Sequence, residues 1–335
     1  MRFRTILSFI LTLLLVTACG NQAELPATTA PFATETSIPA PVLTSTVGTP
    51  LAVLVLPPDL DPDTSNLYQK TVYDLTQQAG YRFQVLNSLR PADLDPGLKV
   101  VIAVSADPGI AQLAAAAPQA QFLAINIPDI TPAGNISVLA NSTQTDLAAF
   151  LAGYTAAMTT DDYRIGMMMP KDNADAIRAL NAYAKGMTYY CGTCQPVYFY
   201  NWKYPQYIEI PSTEDVNNYD AYADILMSQY KVGNIFLYPD VYNQDLATYI
   251  GTTGTSMIGT VSPEQRPAGW MMTIQPDVVK AIQNAWPQLT SGQGGLTIQS
   301  PLGLADIDPD LLSEGKQRLV EQTLEQLQAG KIAIQ

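Results

Sequence analysis

The side chains that could do chemistry in this 335-residue sequence are mainly carboxylates, tyrosines and one cysteine pair, because the chain contains no histidine. Histidine is the usual base near neutral pH, a common metal ligand, and the partner that activates nucleophilic serine and cysteine. Its absence excludes Ser–His and Cys–His catalysis, and the patterns GxSxG, HExxH and the EF-hand loop do not occur. Carboxylate-based or lysine-based catalysis stays possible. The composition nevertheless favours a binding protein over an enzyme, with no cofactor.

A group of polar side chains follows the first predicted strand, LAVLVL at 51–56. Its members are Asp59, Asp61, Asp63 and Asn66. Ligands of open α/β sheets bind at the carboxyl ends of strands, where these oxygens could accept hydrogen bonds from ligand hydroxyl or N–H groups. A calcium loop would need a glycine and a distal glutamate that this segment lacks. The alternative is turn formation and helix capping, a common role for Asp and Asn.

A second candidate group, Ser105 and Asp107, follows the third predicted strand at 98–105. Ser105 and the backbone N–H groups at the start of the next helix could hold a polar or anionic ligand group. The alternative is that these residues only cap the helix. In the second half, Tyr238 and Asp240 follow the predicted strand NIFLYP at 234–239 and could close a cleft from the opposite side.

The most unusual composition lies in YYCGTCQPVYFYNWKYPQY at 189–207. Trp202, with Tyr200 and Asn201, follows a predicted strand near 197–200, and an aromatic platform there could hold a flat or sugar-like ligand. Trp202 is the strongest single candidate for a ligand contact. The alternative is a tyrosine-rich surface or packing between lobes.

The same segment contains Cys191 and Cys194 in a CxxC pattern. Catalytic CxxC motifs usually begin a helix in a thioredoxin-like unit, whereas this pair follows a predicted helix. A structural disulfide that fixes a turn is therefore predicted, and a redox motif is the alternative. A zinc site would need two more ligands, and neither a histidine nor a third free cysteine is available if Cys19 is lipidated.

The amino terminus has the pattern of an exported lipoprotein. Arg2 and Arg4 precede an apolar run at 6–16 that is too short to span a bilayer comfortably, which is typical of a signal peptide. Val16-Thr17-Ala18-Cys19 resembles the bacterial lipobox, so residues 1–19 are predicted to be a signal peptide ending at Cys19, the lipidated residue. The alternative is an ordinary signal peptide cleaved after Ala18. The Pro- and Thr-rich segment 20–50 is predicted to be an extended tether.

Charge and composition limit the partners further. The chain has 17 basic and 30 acidic residues, a formal net charge of −13, and no basic stripe that could neutralise phosphates. A nucleic-acid partner is therefore not expected. With 47% hydrophobic and 14% charged residues, the body of the chain is predicted to be globular, and its length suggests two domains. The protein is expected at the cell membrane, lipid-anchored on the extracytoplasmic face.

Strands alternate with helices along the folded body, which predicts doubly wound parallel sheets. Further strands are predicted at 82–87, 121–126, 136–140, 164–169, 256–260, 270–273 and 296–299, and a long last helix from Pro309 to Gly330. The stretch 135–169 is predicted to join two lobes through a helix capped by Thr143, with one apolar stripe; the alternative is an ordinary βαβ unit within one lobe. We predict lobe one at 51–160 plus 256–290, and lobe two at 161–255 plus 291–335.

Three segments resemble the basic-membrane-protein, or purine-nucleoside-receptor-like, family of substrate-binding lipoproteins. They are VVIAVSADPGIAQLAAAAPQAQFLAIN at 100–126, NISVLANSTQTDLAAFLAGYTAAM at 135–158 followed by RIGMM, and the final helix closing on Ala329-Gly330-Lys331-Ile332. The Leu-Ala-Gly-Tyr sequence is the most specific of these matches. Asn126 stands where the family's fourth strand usually ends in Asp, and Asp277 stands where a Thr-Ser-x-x-Lys motif has its lysine.

This resemblance implies the type I periplasmic-binding-protein fold, an α/β fold of two Rossmann-like doubly wound parallel-sheet lobes joined by three crossovers. It also implies a monomer that holds a small ligand in the cleft, with Asn126 as a ligand residue, and delivers it to an ABC permease. The family's usual ligand is a purine nucleoside. The alternatives are an extracytoplasmic sensor that signals through a membrane partner and, less favoured, an extracytoplasmic hydrolase or redox enzyme.

Overall fold

The computed structural model describes residues 48–142, 144–194 and 203–334. In its first part, three apolar runs (51–55, 98–104 and 121–125) form strands that are buried on both faces, while the strands at 82–86 and 136–140 are more exposed, and helices connect most of them. These elements are β1 (Leu51–Val55), α1 (Pro62–Ala79), β2 (Arg82–Leu86), β3 (Leu98–Val104), α2 (Ile110–Ala116), β4 (Gln121–Ile125) and β5 (Ile136–Ala140).

The alternation restarts after β5, and short 3₁₀ or π turns at 216–218, 225–229 and 239–241 supplement it. The first of these elements are α3 (Thr145–Thr159), β6 (Ile165–Pro170), α4 (Ala174–Cys191), β7 (Gln206–Ile210), α5 (Tyr219–Asp224), β8 (Asn234–Leu237) and α6 (Gln244–Thr252). The last are β9 (Ser256–Gly259), β10 (Trp270–Pro276), α7 (Val278–Thr290), β11 (Thr297–Gln299), β12 (Leu302–Ala305) and α8 (Glu314–Gln328).

The described strands form two six-stranded sheets. The first has the order β11-β5-β4-β3-β1-β2 and the second β12-β10-β9-β8-β6-β7. Every pairing is parallel except that of β12 with β10, which aligns Pro276 with Leu302. Helices α1 and α7 cover one face of the first sheet, and α3, α4 and α8 cover one face of the second. The predicted fold class, an α/β protein of two doubly wound lobes, is confirmed.

The lobe boundaries differ from those predicted. Strands β9 and β10 belong to the second sheet, although 256–290 was assigned to lobe one, and only α7 from that range packs on the first sheet. Conversely, β11 belongs to the first sheet, and α3 lies in the core of lobe two. Apolar runs in the sequence indicate where strands occur. The sheet to which a strand belongs depends on its pairing with strands elsewhere in the chain, such as the pairing of Asn234 with Ser256.

Helix α3 is buried all round from Ala148 to Met158, in place of the single apolar stripe that the periodicity predicts. Its faces contact α4, α8 and strands of the second sheet. Gly153 and Gly186 allow the closest approach, because a Cβ at either glycine would overlap a carbonyl oxygen of the other helix. The helix begins at Thr145, with Gln144 at the N-cap position; the predicted cap, Thr143, lies outside the described residues.

Three smaller predictions also differ. The strand predicted near 197–200 lies outside the described residues, and the second sheet instead contains β7 at Gln206–Ile210. The last helix begins at Glu314 and not at Pro309, while the four-residue β12 was not predicted because it is too short to show alternation. Within the part of the chain that the structure describes, no helix combines the length and apolarity needed to cross a membrane.

Candidate ligand-binding site

The carboxyl edges of the two sheets must lie next to each other, because every crossover between the lobes is short. Four residues separate β5 from α3 (141–144), Asp277 alone separates β10 from α7, and two residues separate β11 from β12 (300–301). Each crossover leaves a parallel strand at its carboxyl end. The edges at which ligands of open α/β sheets bind are therefore held close together.

Hydrogen bonds join the three crossovers to one another. The Asn141 amide donates to the side-chain oxygen of Asn126, and the Ser300 hydroxyl donates to the side-chain oxygen of Asn141. The Gln144 amide donates to the Ser300 carbonyl (2.8 Å), and the Asp277 backbone N–H donates to the Pro301 carbonyl (2.7 Å). We call the three crossovers together the hinge. Asn126, a predicted ligand residue, is hydrogen-bonded directly to it. Asn141 is not among the ligand residues predicted from the sequence.

Several turns at these edges use left-handed backbone at non-glycine residues. Ser105 (φ 62°), Asn126 (φ 52°) and Asp172 (φ 56°) follow β3, β4 and β6, and Gln144 (φ 42°) lies in the first crossover. This conformation is unfavourable for residues with a side chain, and such residues are often found at ligand sites. The turns direct the chain sharply away from the strand ends.

The predicted residues of lobe one lie at this edge and also have local roles. Asp61 is the N-cap of α1, and its carboxylate accepts the Thr64 N–H (2.8 Å). That backbone N–H is the main cause of the lowered pKa of Asp61. Asp107 accepts the N–H groups of Gly109 (2.9 Å) and Ile110 (2.8 Å) at the start of α2. The capping expected as the alternative therefore occurs at Asp61, whereas Asp107 lies two residues before Gly109, the N-cap position of α2, and binds the N–H groups of the turn that leads into the helix. Both aspartates are exposed.

The other predicted residues of lobe one lie close to Asp61 or Asp107 along the chain; they are Asp59, Asp63, Asn66 and Ser105. Asp59, Asp63 and Asn66 are exposed on the loop and first turns between β1 and α1, and Ser105 is exposed after β3. Across residues 48–142, 144–194 and 203–334, no group of three or more acidic or sulfur ligands is close enough to hold a metal ion.

A cavity of about 940 Å³ lies at the carboxyl edge of lobe two. It is formed where β6, β7 and β8 end, and its lining includes Lys171, Asp172, Asn173, Ser212, Thr213, Tyr219 and Asp240. Of these, only Asp240 was predicted from the sequence. Asp172 and Asn173 lie in the segment Pro170-Lys171-Asp172-Asn173, directly after the clearly predicted strand at 164–169. A search for polar residues at the end of that strand would have found them.

Tyr238, directly after β8, packs its ring in the core of lobe two and is only 4% exposed, and it is not among the residues that line this cavity. Its hydroxyl has no hydrogen-bond partner among the described residues. Burial is the main cause of the raised pKa of Tyr238, and the carboxylates of Asp240, Asp175 and Asp146 raise it further. Arg178, which opposes this effect, forms ion pairs with Asp175 and Asp146.

Two further features lie close to the edges. A groove of about 270 Å³ runs between α1 and the ends of β10 and β12, where Leu67 is 51% exposed beside Gln275 and Asp277. Thr260, directly after β9, is 4% exposed, and its hydroxyl has no hydrogen-bond partner in the described part of the chain. Neither feature was predicted from the sequence.

The remaining predicted residues lie apart from this edge or outside the described ranges. The structure joins Cys191 and Cys194 in a disulfide at the end of α4, with Cα atoms 5.3 Å apart. Trp202, with Tyr200 and Asn201, lies outside the described residues, and so does Cys19. The roles predicted for these four residues outside the described ranges stay predictions.

The fold defines the class of protein to which this chain is similar: two α/β lobes of the type I periplasmic-binding-protein kind. No family model matches the sequence, and no curated protein matches it significantly. Among solved structures, an ABC transporter solute-binding protein from Conexibacter woesei is 14% identical, with a TM-score of 0.54, and the match covers 85% of this chain and 98% of that one.

Two more solved structures are similar at lower scores. A transcriptional activator of the comK gene from Bacillus halodurans is 11% identical, with a TM-score of 0.49, over 83% of this chain and 96% of that one. An ABC transporter solute-binding protein from Aeropyrum pernix is 14% identical, with a TM-score of 0.42, over 85% and 92% of the two chains. At these identities the likeness concerns the fold.

Proposed function

We propose that this chain is a solute-binding protein that captures a small polar ligand between its two lobes and presents it to an ABC permease. The observation that carries the proposal is the pair of adjacent carboxyl edges, both rich in polar side chains and joined by three short crossovers. The fold shared with a solute-binding protein of an ABC transporter supports it. No covalent chemistry is required.

The mechanism that we propose is closure of the lobes around the ligand by rotation at the crossovers. Closure must be driven by a higher ligand affinity of the closed state than of the open state. Contacts from both edges provide that difference, because a ligand held by Asp240 alone could bind the open form equally well. Asn126 would contribute from lobe one, where it is already bonded to the hinge residue Asn141.

Two finer parts of the proposal rest on the sequence. The lipobox-like pattern ending at Cys19 supports a lipid anchor on the extracytoplasmic face of the cell membrane, with segment 20–50 as tether. The resemblance to nucleoside-binding lipoproteins makes a nucleoside the first ligand to test, with Trp202 as an aromatic contact. Labelling with radioactive palmitate tests the anchor, since Cys19→Ser abolishes incorporation if Cys19 is lipidated.

Thermal unfolding and native mass spectrometry of the full-length chain test the binding role. The ligand panel contains nucleosides, sugars, amino acids and organic amines. A ligand present at 100 times its Kd stabilises the folded state by about 2.7 kcal/mol, which is readily measured as a rise in Tm. Asp240→Asn should weaken this stabilisation, whereas Glu325→Gln on the exposed face of α8 should not. Failure of every ligand class to bind contradicts the proposed function.

A further inference from the structure

The groove between α1 and the ends of β10 and β12 is lined from both lobes, and we call it the interlobe groove. Its lobe-one wall consists of Thr64, Leu67 and Tyr68 in the first turns of α1, together with the start of α7. Its lobe-two wall consists of the end of β10 and residues 303–305 of β12, the outermost strand of the second sheet. The lobe-two cavity, in contrast, has lining residues from lobe two only. The width of the interlobe groove therefore depends on how the two lobes are oriented.

The floor of the groove lies at the hinge and is closely packed. A Cβ added to Gly303 would lie only 2.9 Å from the Asp277 Cβ, so β12 and this crossover are in contact. The Asp277 backbone N–H also donates to the Pro301 carbonyl (2.7 Å). Because close-packed contacts resist deformation, rotation of the lobes must change the groove mainly at its two walls.

Leu67 is an apolar exception on its face of α1. The residues one and two turns further along this face, Lys70 and Asp74, form an exposed ion pair (2.6 Å). Leu67 itself is 51% exposed. A single leucine on an open surface needs no explanation, but Leu67 lies in a groove whose opposite wall includes Leu304 and Ala305. The helix face is thus apolar at the turn that lies opposite the other lobe.

Both walls belong to edges that approach each other when the lobes close. The first turns of α1 follow the carboxyl end of β1, and Gln275 and Pro276 form the carboxyl end of β10. Rotation that brings these edges together narrows the groove and transfers the exposed part of Leu67 from water to the β12 wall. Removing apolar surface from water is favourable roughly in proportion to the area removed.

We propose that the interlobe groove is a latch, in which Leu67 packs against β12 at Leu304 and Ala305 when the lobes close. This inference rests on the lobe rotation of the proposed function and adds to it a contact beside the hinge that stabilises the closed state. The latch consists of the chain itself, so its contribution is independent of the class of ligand.

Cross-linking of the full-length chain tests whether the two walls meet. The variant is Leu67→Cys with Ala305→Cys in a Cys19→Ser background, and the matched control is Asp74→Cys with Ala305→Cys. Cysteines whose Cα atoms are more than about 7 Å apart are not bridged unless the backbone moves. Under mild oxidation we expect the first pair to form a disulfide, identified by peptide mass spectrometry, and small-angle X-ray scattering to give a smaller radius of gyration for the bridged protein. The control pair, two turns further along the same helix face, should stay reduced.

Ligand affinity tests whether burial of Leu67 favours closure. Any member of the panel of nucleosides, sugars, amino acids and organic amines that raises the Tm should bind Leu67→Ser about fivefold more weakly, because half of a leucine side chain is no longer buried on closure. The matched control is Leu319→Ser on α8, which removes a leucine that is 46% exposed and does not line the groove. Its ligand affinity should equal that of the wild type.

The outcomes separate the latch from the binding role. The latch is overturned if the first pair does not bridge, if it bridges without compaction, or if the control pair bridges equally well. A ligand found with the panel would then leave the solute-binding function standing. Unchanged affinity in Leu67→Ser, or an equal loss in Leu319→Ser, also overturns the latch, because burial of Leu67 would not favour closure. Bridging with compaction in a chain that binds no member of the panel supports the latch and counts against the solute-binding function.

Discussion

Two neighbouring regions of the molecule are built in opposite ways. One is the crossing of helices α3 and α4. The other is the polar carboxyl edge, which includes the residue directly before α3. At the crossing, Gly153 and Gly186 bring the two backbones into contact, and the surrounding residues are buried. At the edge, side chains such as Asn141 and Gln144 are half-buried and bridge separate chain segments by hydrogen bonds. Close-packed interiors resist deformation, so a change in lobe orientation must be absorbed at the edge.

The largest effect is expected when the glycines of the crossing are replaced. A methyl group in Gly153→Ala or Gly186→Ala would overlap the carbonyl of Tyr183 or Phe150, so the helices must separate. We expect a loss of about 3 kcal/mol in the free energy of unfolding, measured by urea denaturation.

The matched control is Gly315→Ala in the first turn of α8, where an added Cβ meets no atom within 4 Å. Alanine favours helix, so this variant should gain about 0.5–1 kcal/mol. Similar losses at all three glycines would mean that the crossing is no more tightly packed than the surface.

At the polar edge, the Asn141–Ser300 pair is expected to give the next largest effect. Asn141→Ala leaves the hydroxyl of the fully buried Ser300 without its acceptor, at a cost of about 1–3 kcal/mol. The double variant with Ser300→Ala should recover part of this loss, since both polar partners are then removed. A double-mutant cycle in urea measures the coupling, with Ser142→Ala as an exposed neighbouring control. Strict additivity would show that the pair does not fix the hinge.

A buried hydroxyl near the crossing gives a smaller effect of opposite sign. Tyr183 stacks on Phe236 with ring centroids 5.7 Å apart, and its fully buried hydroxyl has no hydrogen-bond partner among the described residues. Burial raises the pKa of Tyr183 well above its usual value. Tyr183→Phe should therefore stabilise the fold by about 1 kcal/mol, measured by thermal unfolding.

Tyr204→Phe provides the same chemical change with the opposite expectation. The Tyr204 hydroxyl donates to the Tyr230 carbonyl (2.7 Å), and its loss should destabilise the protein by about 1 kcal/mol. If Tyr183→Phe also destabilised the protein, the hydroxyl of Tyr183 would have a partner that compensates its burial.

The α3–α4 crossing and the carboxyl edge differ in how far the sequence predicts them. Apolar runs predicted most strands, and the loops behind β1, β3 and β8 were correctly expected at carboxyl ends. The sheet to which β9 and β10 belong could not be read locally, because it depends on pairing with β8 and β12. The full burial of α3 depends on α4 and α8, which pack against it from elsewhere in the chain.

The same reasoning applies to the site. Asp61 and Asp240 were predicted because each follows a recognisable strand, whereas Asn141 had no local signal beyond its tendency to end a strand. Its role arises from Ser300, 159 residues away in the sequence. Tyr219 lines the cavity from a short helix whose position relative to β6 no sequence periodicity reveals.

The smallest effect is expected at Asp61, which is exposed at the carboxyl edge and caps α1. Asp61→Ala should lower the unfolding temperature slightly at neutral pH, and Asp61→Asn should restore most of it because asparagine is an equally good cap.

The pKa of Asp61 lies below its ordinary value of 3.8, mainly because of the Thr64 N–H, so the charged carboxylate stabilises the fold above the unfolded-state pKa. This contribution is lost as the pH falls through the folded-state pKa, so the difference between wild type and Asp61→Ala should shrink there. A difference that stays constant with pH would mean that the carboxylate charge does not contribute to the cap. An undiminished ligand affinity in Asp61→Asn would further restrict this residue to capping and leave ligand binding to its neighbours on the edge.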